Sequence, residues 1–327
     1  MSDRDFLVQV ATLYYRQGLS QQDIADRCRI SRATVSNALR KAREEGIVEI
    51  RIRESPSLAW SLASDLESRF SLPRAVVVPA EHDAASTTVA VGRAAAECLA
   101  SHLRAGIRIG ISWGTTLYQA VSALAATAAF AGVEVVQLLG ALGSINPRFD
   151  GFELARSLAE KLHGQYRVIQ APVIVASREL RELLLREPQI AETLQRAREA
   201  DIALLGISSN NPAHSALVRA GFLTVEESRE IYASGAVGHV CGLHFDSEGR
   251  ILAYPLNDRA IGISAADLAR IPMVIGAASG PEKVEAIRGV LRGGLLKVLV
   301  TDAATARGLL EPAELKGASG AERTTPA

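Results

Sequence analysis

Apolar residues in the first fifty positions recur at helical spacing. Phe6, Leu7, Val10, Leu13 and Tyr14 fall three and four apart, which predicts one face of a helix that Gly18 ends. Ser20 is placed to cap a second, short helix around Ile24 and Ala25. Ser31 is placed to cap a third, with Val35, Ala38, Leu39 and Ala42 as its inward stripe and Gly46 as its end. Ile47 to Arg53 then alternates apolar and charged, as a half-buried strand does. Leu58, Leu62, Leu66 and Phe70, four apart, predict a helix with one apolar edge, between Ser55-Pro56 and Leu72-Pro73.

Beyond residue 74 the period changes. Apolar, β-branched runs at 75–78, 107–111, 133–138, 168–171, 202–207, 273–277 and 297–301 read as strands buried on both faces. Helical stretches separate them, at 89–103, 117–126, 153–163, 189–199 and 284–291. Strand–helix alternation of this kind predicts one open, mostly parallel α/β sheet. Four segments follow: a helical head over 1–54, a linker or oligomerisation helix over 55–74, a larger α/β body over 75–315, and a tail over 316–327 rich in Ala, Gly, Ser and Thr. The 58–66 edge is narrow enough to suit pairing between subunits.

Charge separates the segments further. The 327-residue chain has 36 basic and 36 acidic side chains, so its net charge is zero. Residues 1–53 carry ten basic against seven acidic groups, and the remainder is net negative. A basic head on an acidic body points to a polyanion as the head's partner. The three cysteines, Cys28, Cys98 and Cys241, have no metal-like spacing and suit a reduced compartment. No basic-then-apolar leader opens the sequence, and no apolar run reaches the ~20 residues of a membrane helix. The expectation is a cytoplasmic protein without metal or cofactor.

The segment Ser20–Lys41 has helix-turn-helix spacing. Ala25 is small where two helices must meet, Ile30 anchors the turn, and Val35 and Leu39 pin the second helix from below. The outer face of that helix gathers Ser31, Arg32, Thr34, Ser36, Asn37, Arg40 and Lys41, donors suited to base edges and phosphates of a major groove. The strand after Gly46 suits a wing that sets Arg51 near the DNA backbone. Arg29 occupies the turn position that usually holds glycine, which carries a cost if its φ is positive.

Residues 13–25 (LYYRQGLSQQDIA), 30–36 (ISRATVS) and 42–50 (AREEGIVEI) resemble the start of the SorC family of sugar-responsive bacterial regulators. The resemblance continues through GISWGTTL at 110–117, DIALLGI at 201–207, GAVG at 235–238, GPEKVEAI at 280–287 and LVTD at 299–302, over about residues 5–311. It implies a winged helix-turn-helix head that binds double-stranded operator DNA, a sugar- or sugar-phosphate-binding body, and a homo-oligomer, dimer or tetramer.

Two turns in the body suit an anion. Gly114-Thr115-Thr116 follows an apolar run and opens a helix, where backbone N–H groups and hydroxyls can meet a phosphate. Ser279-Gly280-Pro281-Glu282-Lys283 lies in the same strand-to-helix position and adds a cation. Ligands of open α/β sheets bind at such strand ends. The turns also resemble those of amino-sugar-phosphate isomerases, which implies a phosphate role for Gly114, Thr115, Thr116, Gly280 and Lys283. Where those enzymes carry an Asp-Gly-His run, this chain has Ser208-Ser-Asn-Asn-Pro-Ala-His214, without a carboxylate. Acid–base isomerisation needs a titratable pair, so the expectation is binding without catalysis and no catalytic residue. An isomerase-like enzyme with an accessory DNA-binding head is the alternative. Gln137 and Asn146 are candidate polar walls. Trp113 suits either a sugar ring or the core. Asp246 suits a hairpin turn or, as the resemblance suggests, a contact to sugar hydroxyls.

Overall fold

The computed structural model describes residues 3–48, 56–143 and 147–312. Arg51, Asn146 and the 316–327 tail lie outside the described residues, as does most of the expected wing. The chain divides into a unit of residues 1–53 and a unit of residues 54–327.

The smaller unit is helical: α1 (Asp3–Ala11, prolonged by a π-helical turn at Thr12–Arg16), α2 (Gln21–Cys28) and α3 (Arg32–Glu44). Ser20 and Asp23 form a reciprocal capping box at α2, and the Ser31 hydroxyl accepts the Thr34 amide at 3.0 Å to start α3. Leu7, Val10, Leu13, Ile24, Val35 and Leu39 close a core of their own. Arg29 sits between α2 and α3 at φ 54°, ψ 46°, the left-handed region its position implies.

The larger unit begins with α4 (Pro56–Phe70) and β1 (Arg74–Val78), then α5 (Ala84–Ala100), β2 (Arg108–Ile111), α6 (Thr115–Ala123) and β3 (Glu134–Gln137). Next come α7 (Gly151–Lys161), β4 (Gln165–Arg167), α8 (Arg178–Leu184), α9 (Pro188–Arg198) and β5 (Ile202–Gly206). Then follow β6 (Ser208–Ser209), α10 (Ala216–Arg219), α11 (Val225–Ala233), β7 (Gly238–Val240) and β8 (Leu243–Phe245). The chain ends with α12 (Ala265–Leu268), β9 (Met273–Ala277), α13 (Val284–Arg292), β10 (Val298–Asp302) and α14 (Ala303–Leu310).

Seven strands form one sheet in the order β1-β10-β9-β5-β2-β3-β4, every pair parallel. Large apolar clusters cover both faces, which is why most strands read as unbroken apolar runs. Strands β6, β7 and β8 form a separate antiparallel sheet that the sequence pattern does not show.

Two expectations change. The strand expected at 168–171 lies three residues earlier, at β4. The Gln137 side chain accepts the Ile169 amide at 3.1 Å, so the run leaves the ladder while Ile169 and Ala171 stay buried. The apolar edge of α4 does not face a second subunit at Leu62 and Leu66. Both are buried in the same chain's core, where α4 packs on β1 and α14. Burial of each side chain is worth about 1.5–3 kcal/mol. Helix α4 thus belongs to the larger unit, while Leu58 stays exposed beside Trp60.

Candidate functional site

On the head, α3 is amphipathic by construction. Val35, Ala38, Leu39 and Ala42 turn inward, and Arg32, Thr34, Ser36, Asn37, Arg40 and Lys41 stay exposed. Ser31 is exposed too, its hydroxyl engaged in the cap. Arg40 and Lys41 pair loosely with Glu44 and Glu45 at 4.0 and 3.7 Å. Exposed pairs of this length are worth little.

On the body, the strand order fixes where a ligand can enter. After β2 the chain steps to β3 on one side; after β5 it steps to β9 on the other. The direction of winding reverses between β2 and β5, and such a switch leaves a crevice beyond the strand C-termini. A cavity of about 340 Å³ occupies this position. The turn after β2 (Trp113 to Leu117), the turn after β5 (Gly206 to Ser209) and Lys283 after β9 line it, joined by Leu142, Phe149, His214 and Arg219.

The first turn is built to leave donors open. Gly114 adopts φ 126°, a conformation L side chains rarely enter, and donates its own N–H to the Phe149 carbonyl at 3.1 Å. The first amide of α6 with an intrahelical acceptor is that of Tyr118, which donates to the Gly114 carbonyl. The amides of Thr115, Thr116 and Leu117 have no acceptor among the described residues, and no side chain caps the helix. This is the arrangement in which a helix N-terminus holds an anion.

Lys283 supplies the charge. It is half-buried, and its ammonium has no hydrogen-bond or ion-pair partner among the described residues. Burial pushes its pKa down; Glu282 pulls it up, Arg219 pushes it further down, and Asp302 pulls it up. Asp302 itself is committed to capping α14. It accepts the Ala304 and Thr305 amides, the Thr305 hydroxyl at 2.5 Å, and the Gly280 amide at 3.3 Å.

Trp113, Gly114, Thr115, Thr116 and Lys283 come together around the cavity as the sequence suggested. Gly280 does not line it: its N–H goes to Asp302 and, at 2.9 Å, to Thr305. It shapes the turn instead, at φ 112°. Gln137 lies outside this cavity, fully buried, with its carbonyl on the Ile169 amide. Asp246 lies outside it as well. Its carboxylate accepts the Glu248 and Arg250 amides at 2.9 Å each, as a turn aspartate does. His214 and Arg219 line the cavity without having been singled out. His214 precedes and Arg219 ends α10, whose four residues are too few to give a periodic signal.

Behind Trp113 lies a buried imidazole pair. His239 stands 6.2 Å from the Trp113 ring, nearly parallel, and 5.1 Å from His244. Its Nδ1 donates to the Asn210 side-chain oxygen, and its Nε2 and both nitrogens of His244 have no partner among the described residues. Burial lowers His239 well below its ordinary pKa and takes His244 to about 4, so both are neutral near pH 7.

Comparison with known proteins agrees with this architecture. A family model of sugar-binding domains matches residues 55–311, and a MarR-family model matches residues 9–57. The chain is 33% identical over 304 residues to the deoxyribonucleoside regulator of Bacillus subtilis (strain 168), covering 93% of this chain and 96% of that protein. It is 30% identical to the transcriptional regulator LsrR of Enterobacter sp. (strain 638), covering 95% and 94%. The crystal structure of the full-length sorbitol operon regulator SorC from Klebsiella pneumoniae is similar at a TM-score of 0.73 and 27% identity, covering 95% of this chain and all of that one. These relatives are transcriptional regulators, not enzymes, which disfavours the isomerase alternative. The chain belongs to the SorC-type family of sugar-binding transcriptional regulators and is a sugar-responsive, DNA-binding regulator.

Proposed function

We propose that this regulator controls a carbohydrate-utilisation operon and that its effector is a phosphorylated sugar held in the switch-point cavity. The observation that carries this reading is the half-buried Lys283 ammonium, unpartnered among the described residues, lining the same cavity as the three amides of α6 that have no acceptor there. A neutral sugar gains little from that field, whereas a phosphate gains charge-assisted bonds of about 1.5–3 kcal/mol each. Trp113 covers the sugar ring. Relatives named for deoxyribonucleosides and for sorbitol support a small carbohydrate as the ligand class.

The head places α3 in the major groove. One head covers a single half-site, so the active species is a homo-oligomer, dimer or tetramer, acting in the cytoplasm on a near-palindromic operator. Effector and DNA bias one another by the same coupling free energy.

Two measurements test this. In a thermal-shift series, a sugar phosphate at one hundred times its dissociation constant adds about 2.7 kcal/mol of stability, and the parent sugar at equal concentration adds far less. Equal effects of the two would remove the phosphate from the reading. In an operator-binding assay, Arg32→Ala and Asn37→Ala each relax base preference by about 1–3 kcal/mol. Unchanged preference in both variants would take α3 out of the groove.

A further inference from the structure

The cavity holds a second cation that the phosphate turns do not account for. Arg219 ends α10, and one guanidinium nitrogen donates to the His214 carbonyl oxygen at 3.0 Å. No carboxylate pairs with it among the described residues. It lines the same cavity as Lys283, and the two are close enough for Arg219 to disfavour the charged form of Lys283. None of the lining residues is acidic. The nearest carboxylate influences on Lys283 come from Glu282 and Asp302. Neither lines the cavity, and Asp302 is engaged by four donors of the chain itself.

Two like charges facing one cavity without a counter-ion repel, and more so where one of them is half-buried. A singly charged ligand balances one of them. A phosphate monoester, with a second pKa near 6, is close to doubly charged at pH 7.5 and balances both. The guanidinium fork matches two phosphate oxygens at once, and a charged oxygen is a stronger acceptor than the neutral His214 carbonyl it now serves.

We propose that Arg219 is a specificity-determining residue of the effector cavity, the second cation that makes it select a dianionic phosphate ester over singly charged esters of the same sugar. This rests on the reading of the cavity as a phosphosugar site. Lys283 and the α6 amides hold the phosphate, and Arg219 counts its charge.

The test is calorimetry on the full chain at pH 7.5. The probes are erythrose 4-phosphate, ribose 5-phosphate and glucose 6-phosphate, and the sulfate ester matching whichever phosphate binds tightest. The native protein is expected to prefer phosphate over sulfate ester at least tenfold. Arg219→Gln should cut the preference to threefold or less, mainly by weakening the phosphate, with an unchanged melting temperature. Arg219→Lys should keep most of it. If Arg219→Gln keeps the tenfold preference, or the native protein shows none, the role of Arg219 is overturned and the phosphosugar reading stands. If no phosphate ester binds the native protein, both fall.

Discussion

The turns at Gly114–Thr116 and Gly280–Lys283 look alike in sequence and behave differently in the fold. Each follows a parallel strand, each opens with a glycine at positive φ, and each leads into a helix. The first leaves its amides open. The second engages most of its own: Gly280 donates to Asp302 and Thr305, Pro281 has no N–H, and Lys283 donates back to the Gly280 carbonyl. One turn contributes backbone donors and a helix dipole; the other contributes a single side chain held at a fixed place. A glycine turn at a strand end is therefore an anion cradle only if no neighbouring residue has claimed its amides first. Here the claimant, Asp302, comes from the adjacent strand β10.

The largest expected effect comes from removing that claimant. Asp302→Ala leaves buried donors without an acceptor and uncaps α14, a cost of about 3 kcal/mol or more. Urea unfolding measures it, and a loss under 1 kcal/mol would mean that the second turn does not depend on Asp302.

A comparable effect is expected from acid, through the imidazole pair that backs the first turn and not the second. His244 falls from an ordinary 6.5 to about 4 on folding, so the unfolded chain binds more protons between those values. Stability is complete above pH 6.5 and declines as pH falls through the window, by roughly 3 kcal/mol for this group. His244→Leu removes two unpartnered ring nitrogens and should flatten that slope in denaturation curves taken at pH 7, 5.5 and 4.5; an unaltered slope would place the acid sensitivity elsewhere.

Next in size, Lys283→Ala should weaken a phosphorylated effector at least tenfold, and Lys283→Met, which keeps much of the stem, should weaken it nearly as much. If Met restores native affinity in calorimetry, the second turn contributes packing and not charge.

The smallest effect applies the same backbone rule to the head. Arg29 stands at φ 54° without a glycine's freedom. Arg29→Gly should raise the head's stability by about 1 kcal/mol, read as a shift in denaturation midpoint.

Much of this was legible in the chain. The caps at Ser20 and Ser31, the inward stripe of α3, and six of seven parallel strands follow from periodicity and turn chemistry. Five expected cavity residues meet because the turns that carry them end β2 and β9, the parallel strands on either side of β5. The seventh strand was displaced because a buried apolar run reads the same in a ladder or beside one; only the Gln137 side chain, reaching the Ile169 amide, separates the cases. The β6–β8 sheet has strands of two and three residues, too short for a period to show. Arg219 escaped because its role depends on which cavity α10 borders.

The strand order also bears on how the protein is made. Strand β1 lies at the edge of the sheet and pairs only with β10, about 220 residues later, and α4 packs on β1 and α14. The helical head closes its core from residues 6–48 alone and needs nothing downstream. At about 5–20 residues per second, the ribosome completes the head roughly twelve to fifty seconds before β1 has a neighbour. Through that interval Leu62 and Leu66 have β1 beside them but lack the cover that α14 adds. A nascent chain stalled before residue 298 therefore carries a head with its helical core closed and a body whose sheet still lacks a strand. The last strand of the sheet to be translated is thus the one that gives the edge strand β1 its only ladder partner.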